Sequence, residues 1–221
     1  MTFLALLGST LGHVATQAET VSPALWPDTY LGRVEAYALV ETLNAKLLAA
    51  RSATFTLDQW CADHHMAEDP KIRARLVKGA EKPISAEQRQ RLQVADGEIV
   101  KYRRVELACG DHILSEADNW YVPSRLTTEM NILLETTDTP FGRAVQELKP
   151  YRQTFAVELH WHSLPDGWEM SPPLNQQSAG PLAIPPVLFE HRALLFTADR
   201  KPFSEVDEHY TSEILAFARS R

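Results

Sequence analysis

Glu190 lies in the run Val187-Leu188-Phe189-Glu190-His191-Arg192-Ala193-Leu194-Leu195, a carboxylate inside an otherwise apolar segment. Burying that charge is expensive unless a partner or a ligand meets it. In an extended strand Leu188, Glu190, Arg192 and Leu194 share one face. Glu190 is therefore either the polar anchor of a pocket or half of an exposed Glu190–Arg192 pair on a half-solvated sheet. Thr139-Pro140-Phe141-Gly142-Arg143 has the composition of a helix start, whose free backbone N–H groups and dipole suit a carboxylate. Arg103, Arg104, Arg125, Arg143, Arg152 and Arg192 supply guanidiniums for an anion, and Arg152, just after Pro150, is the strongest candidate among them.

Metal and nucleophilic chemistry have weaker signals. His64-His65 with Cys61, and His160-x-His162, have ligand types, and the second pair would share a strand face. Trp60 and Trp161 beside them, and the absence of a nearby third ligand in the sequence, favour structural roles, so no metal is expected. Glu116 and Asp118 share a strand face, a pattern that more often marks a solvated edge than an acid pair. No nucleophile-elbow sequence and no glycine-rich nucleotide loop are present, and no cofactor is expected.

The elements that must position these residues follow from periodicity. Trp26-Pro27-Asp28 precedes a helix predicted over 29–50, with Leu31, Val34, Ala38, Leu43, Leu47 and Leu48 near one face. Thr56-Leu57-Asp58-Gln59 reads as a capping box opening a second helix, with Leu57, Trp60, Cys61 and His64 pointing inward. Ser85-Ala86-Glu87-Gln88 opens a shorter one. Strands are predicted over 99–109 and 112–122, joined at Cys109-Gly110-Asp111, and over 151–162, where Phe155, Val157, Leu159 and Trp161 alternate with polar residues. Residues 124–135 are helical in composition, and Thr139 as N-cap with Pro140 at the first position starts another short helix. Six prolines between Pro165 and Pro186 mark a long irregular segment before strands over 187–196 and 203–210. Helices, a hairpin, helices and three further strands give an α+β fold with a mainly antiparallel sheet.

Bulk properties narrow the partners. The chain has 221 residues, 44% hydrophobic and 23% charged, as in a folded domain with a substantial core. A formal charge of −7 offers no basic face for nucleic acid or for anionic membrane surfaces. Residues 1–18 carry no Asp, Glu, Lys or Arg, contain the apolar run Phe3-Leu4-Ala5-Leu6-Leu7, and end in Thr16-Gln17-Ala18. Gly8, Ser9 and Gly12 would make a poor core helix, and the segment reads as a signal peptide, with a mature start near Glu19. Residues 19–221 then form one domain, helical over 19–95 and sheet-rich over 96–221. Export to a periplasmic or secreted location would allow Cys61 and Cys109 to pair, stabilising the fold by roughly 4 kcal/mol. A cytoplasmic chain would instead keep both as small buried hydrophobes.

Several segments resemble chorismate pyruvate-lyase and the related UTRA effector-binding domains of transcription regulators. They are Arg104-Val105-Glu106-Leu107 leading into a hairpin, Tyr121-Val122-Pro123, Thr139-Pro140-Phe141-Gly142, Leu188-Phe189-Glu190 and the 199–210 hairpin, together about half the chain. The resemblance implies a six-stranded-type sheet covered by helices on one side, with a pocket under short helical flaps. It implies that Asn119, Phe141, Gly142, Arg104 and Glu190 contact a ligand, and that Glu190 and Arg152 are the residues for any catalysis. Asn119 stands where the lyase carries an arginine that grips a substrate carboxylate, and a neutral amide does not replace a bidentate charged clamp. The expected function is therefore binding of a small aromatic or carboxylate-bearing molecule without efficient turnover. The alternatives are an active lyase, with Arg152 or Arg104 as the clamp, and an exported structural or interaction protein.

Overall fold

A computed structural model describes residues 26–79, 81–172 and 180–217. The segment read as a signal peptide lies outside them. Six strands form one sheet in the order β1-β2-β3-β6-β5-β4, every neighbouring pair antiparallel. They are β1 (Arg73–Leu76), β2 (Lys101–Cys109), β3 (His112–Tyr121), β4 (Tyr151–Leu159), β5 (Val187–Phe196) and β6 (Pro202–Thr211). This is the α+β class expected, with one strand more than the sequence marked. The four residues of β1 are too few and too charged to show a period.

The main core lies between one face of the sheet and α1 (Tyr30–Ala49), α2 (Ala53–Asp63) and α5 (Phe141–Ala144). Thr29 caps α1 by accepting from the Gly32 N–H at 3.1 Å. The buried stripe of α1 is Gly32, Ala36, Val40, Leu43, Asn44 and Leu47, whereas Leu31 and Leu48 are exposed, a correction to the face expected. Gly32 fixes that rotation, because a Cβ there would stand 2.2 Å from the Pro27 carbonyl oxygen. The opposite sheet face is partly covered too. There α3 (Ala86–Arg91) sits over Trp120 and Leu194, and Arg91 grips Glu205 through two hydrogen bonds of 2.9 and 2.6 Å.

Helix starts show where local chemistry decided and where packing did. At Ser85 the capping box is complete: its hydroxyl accepts from the Gln88 N–H at 3.2 Å, and its own N–H donates to Gln88 Oε1 at 2.9 Å. At Thr56 it is not. Helix α2 begins at Ala53, after Ser52, and the Thr56 hydroxyl is spent on the Ser52 carbonyl at 3.2 Å. Helix α4 (Thr128–Thr136) is capped by Thr127, and α5 takes Pro140 rather than Thr139 as its N-cap.

Cys61 and Cys109 form a disulfide with a Cα–Cα distance of 6.1 Å, tying α2 to the end of β2. The Trp60 indole donates to the Ile214 carbonyl at 2.9 Å, a second anchor for the same helix. The Leu182 N–H donates to the Trp26 carbonyl at 2.7 Å, so the end of the proline-rich connection lies beside the first described residue.

Fully buried His191 accepts no proton readily. Its Nε2 meets Asn44 Oδ1 at 2.8 Å, its Nδ1 has no partner, and burial lowers its pKa to about 4. The unfolded chain takes up that proton near pH 6.5, so the folded state loses stability as pH falls from about 6.5 to 4. The loss from this group is about 3 kcal/mol. Chemical denaturation across that window should show it, and His191→Gln should flatten the slope by that amount.

Candidate functional site

Period-two geometry delivers a set of polar groups to the helix-covered face of the sheet. On β2, Arg103 joins Val105 and Leu107; on β3, Asn119 joins Ala117; on β6, Glu208 joins Val206; β4 adds Arg152 and β5 Leu195. Cross-strand register holds the set together, with Arg103 opposite Asn119, Asn119 opposite Val206, and Arg152 opposite Leu195. Above them the first turn of α2 (Ser52, Ala53, Thr54) and Phe141 and Gly142 of α5 close a cavity of about 40 Å³, room for a few water molecules. A groove of about 600 Å³ outside shares Arg51, Ser52, Gly142 and Pro150 with it. Those shared residues are a thin wall between cavity and solvent.

Two helices meet at that wall closely enough to need a glycine. A Cβ on Gly142 would lie 2.3 Å from Ser52 Oγ and 2.8 Å from Thr54 Oγ1. Arg143 secures the contact, donating to Asp58 Oδ2 at 2.7 Å while Asp58 Oδ1 accepts from the Ile72 N–H at 2.7 Å. Arg143 is thus a clasp between α5 and α2.

The charges in the cavity do not balance. Arg152 donates to Glu208 at 2.6 Å, and Glu208 also accepts from the Tyr210 hydroxyl at 2.8 Å, all three groups being buried. Burial is the largest single influence and would lower the Arg152 pKa; the Glu208 charge, Tyr210 and the hydrogen bond to Glu208 together outweigh it and the pKa is raised. Arg103 has no such carboxylate. Its Nη2 donates to the Thr139 carbonyl at 3.1 Å, while Nε and Nη1 are buried without partners among the described residues. Burial lowers its pKa, though a guanidinium stays protonated at neutral pH. Arg152 Nε and Ser52 Oγ are also buried and unpartnered. Ser52 makes no side-chain cap on α2, whose first-turn N–H groups lie at the same wall. Asn119 presents its amide after Oδ1 accepts from the Ser204 hydroxyl at 2.8 Å.

Of the residues expected to converge, Asn119, Phe141, Gly142 and Arg152 line this one cavity. Glu190 and Arg104 do not, and this corrects the expected site. Glu190 lies opposite His209 in register while His191 lies opposite Glu208, so Glu190 projects from the other face. There Arg192 Nε lies 3.3 Å from Glu190 Oε1, the surface pairing that the sequence left open. Arg104 also projects to that face and pairs with Glu116 at 2.8 Å and Asp118 at 3.6 Å. The strand carboxylate in the cavity is Glu208. Arg103 and Glu208 were legible in principle: each alternates with core residues, Arg103 with Val105 and Leu107, Glu208 with Val206 and Tyr210.

The structure thus defines an α+β protein with a closed, arginine-rich cavity between a six-stranded antiparallel sheet and the ends of two helices. It belongs to the family of the uncharacterized protein y4mC of Sinorhizobium fredii, with which it shares 51% identity over 203 residues, 91% of this chain and 86% of that protein. No protein-family model matches the chain. Among solved structures it is similar to PhnF from Mycobacterium smegmatis (TM-score 0.46, 13% identity, 79% of this chain and 69% of that one). It is also similar to a GntR-family transcriptional regulator from Enterococcus faecalis (TM-score 0.40, 10% identity, 67% and 99%). The effector-binding domain of the trehalose repressor of Bacillus subtilis is a third such structure (TM-score 0.37, 11% identity, 67% and 96%). None of these carries a ligand or an activity over to this chain.

Two substitutions to methionine should separate the arginines. Arg103→Met removes a desolvated charge that lacks a counterion and should stabilise the free protein by about 1–4 kcal/mol. Arg152→Met strands the buried Glu208 carboxylate and should cost about 3–5 kcal/mol. Denaturant unfolding of both variants checks the opposite signs. Gly142→Ala should cost about 1–3 kcal/mol, because α5 must lift from Ser52 and Thr54.

Proposed function

We propose that the cavity binds a small organic anion through a carboxylate, and that the protein is a divergent chorismate lyase-like binding protein without efficient catalysis. The observation that carries this is Arg103: a buried guanidinium on the cavity lining whose Nε and Nη1 have no acceptor among the described residues. A carboxylate there would take two N–H donors in the fork geometry that guanidinium favours. Among the buried groups of the lining, Arg103 and Arg152 against Glu208 leave one excess positive charge, Arg51 being exposed at the wall; a monoanion neutralises that buried charge and a dianion such as chorismate overshoots it. Phe141 and the apolar residues Val105, Leu107, Ala117, Leu195 and Val206 suit the body of a small aromatic acid. A molecule of that size needs more than 40 Å³, so binding displaces the wall formed by Ser52 and Gly142 toward the outer groove. The pairing of Cys61 with Cys109 supports an oxidising compartment for the working protein, as export would provide.

Calorimetric titration with 4-hydroxybenzoate and with chorismate tests the reading. The monoanion should bind more tightly, and Arg103→Met should weaken it about 10–100-fold, the equivalent of one charged hydrogen bond. No binding of any aromatic monocarboxylate, or equal binding after Arg103→Met, overturns it.

An active lyase is the second reading, and one observation favours it: three guanidiniums (Arg51, Arg103 and Arg152) and a carboxylate line the cavity in which Asn119 supplies no charge. Under the binding reading, pyruvate release from chorismate is absent or at least ~100-fold below that of a true lyase. Robust release that disappears in Glu208→Gln would establish the lyase instead.

A further inference from the structure

We propose a second site, for one divalent first-row transition-metal ion such as Zn²⁺, on the sheet face opposite the cavity. Its ligands are His160, Glu190 and His209. Three strands bring them together. Glu190 on β5 lies directly opposite His209 on β6, and His160 follows the last residue of β4, held beside β5 by its N–H donating to the Leu188 carbonyl at 2.9 Å.

Glu190 Oε2 stands 3.6 Å from His160 Nε2 and 3.5 Å from His209 Nδ1, and the three ligand atoms all lie within 4.8 Å of one another. Ligands about 2.0–2.1 Å from a tetrahedral zinc lie roughly 3.3–3.4 Å apart, so two edges of that figure are nearly formed. Two imidazoles with one carboxylate are a ligand set that zinc and its neighbours accept, leaving a position for water. Both imidazoles are about one-third exposed (32% and 35%), so an ion can reach them from solvent.

The second observation concerns what lies behind the ligands. The ring nitrogen of each histidine that faces away from Glu190 Oε2 meets a carboxylate. His160 Nδ1 lies 3.7 Å from Glu158 Oε1, and His209 Nε2 lies 3.6 Å from Asp207 Oδ1. These are ion-pair and not hydrogen-bond distances; once closed on the far ring nitrogen, such a carboxylate orients the imidazole and raises its basicity toward a metal. Arg192 Nε sits 3.3 Å from the other oxygen of Glu190, which leaves Oε2 for the ion. Three carboxylates against one guanidinium give the cluster a formal charge of −2, which a divalent cation balances.

Tag-free protein, stripped with a chelator, should bind one equivalent of Zn²⁺ in a calorimetric titration, and saturating Zn²⁺ should raise its melting temperature. Co²⁺ at the same site should give visible d–d absorption. Glu190→Gln, close in shape to the wild type, and the His160→Ala/His209→Ala double variant should abolish both signals. Asp207→Asn should weaken binding about 10–100-fold. His112→Ala is the control, since His112 pairs with Glu213 and is no part of the cluster, and it should change nothing. No saturable binding, or binding that survives the double histidine variant or Glu190→Gln, overturns the proposal.

Discussion

The constraint on which the cavity depends is an excess of buried positive charge. Arg152 finds Glu208, and that carboxylate is further held by Tyr210, so the pair is close to balanced. Arg103 sits beside it on the same sheet face with one backbone acceptor and two nitrogens that have no partner among the described residues. An uncompensated charge in such a place costs several kcal/mol, and the fold must hold it there by other means. The disulfide and the Trp60 anchor fix α2 over the sheet, and the Arg143–Asp58 clasp fixes α5 against α2. Those contacts hold the helices over Arg103 and keep its guanidinium buried.

Period-two alternation explains both what was legible in the sequence and what was not. The boundaries of β5 follow directly from its apolar run, and β2, β3 and β6 lie within two residues of expectation because hydrophobic patterning marks half-buried strands well. The face of Glu190 relative to the helices was not readable, because a strand pattern says which residues share a face and not which face the helices cover. That depends on the register of β5 with β6 and of β6 with β3, contacts between distant parts of the chain. Glu190 and Arg104 were consequently placed in a cavity that lies on the far side of the sheet. Asn119, Phe141, Gly142 and Arg152 line one cavity, brought there by β3, α5 and the start of β4.

The same limit applied to the histidines. His160 lacks a third ligand among its sequence neighbours, which argued for a structural role. Across the sheet, Glu190 and His209 arrive from strands 30 and 49 residues further along (190 − 160 and 209 − 160). A ligand set assembled across strands leaves no spacing signature, in contrast to one built on a single helix or loop. Cys61 and Cys109 were simpler: with two cysteines in the chain a single intramolecular pairing was available.

Strand β6 carries one residue of each site next to the other, and β5 carries a residue of the cluster beside one that is buried on the helix-covered face. On β6, Glu208 faces the cavity and His209 faces the opposite cluster; on β5, His191 lies beneath the helices and Glu190 among the imidazoles. Because successive side chains point to opposite faces, a charge placed on one face leaves the other free to take an unlike environment one residue later. The helix-covered face is desolvated, so its charges must find partners within the cavity. The opposite face, covered only in part, leaves its imidazoles about one-third exposed to solvent. One antiparallel sheet thereby holds a buried, cationic cavity and a partly exposed, anionic cluster back to back, separated only by the thickness of its backbone.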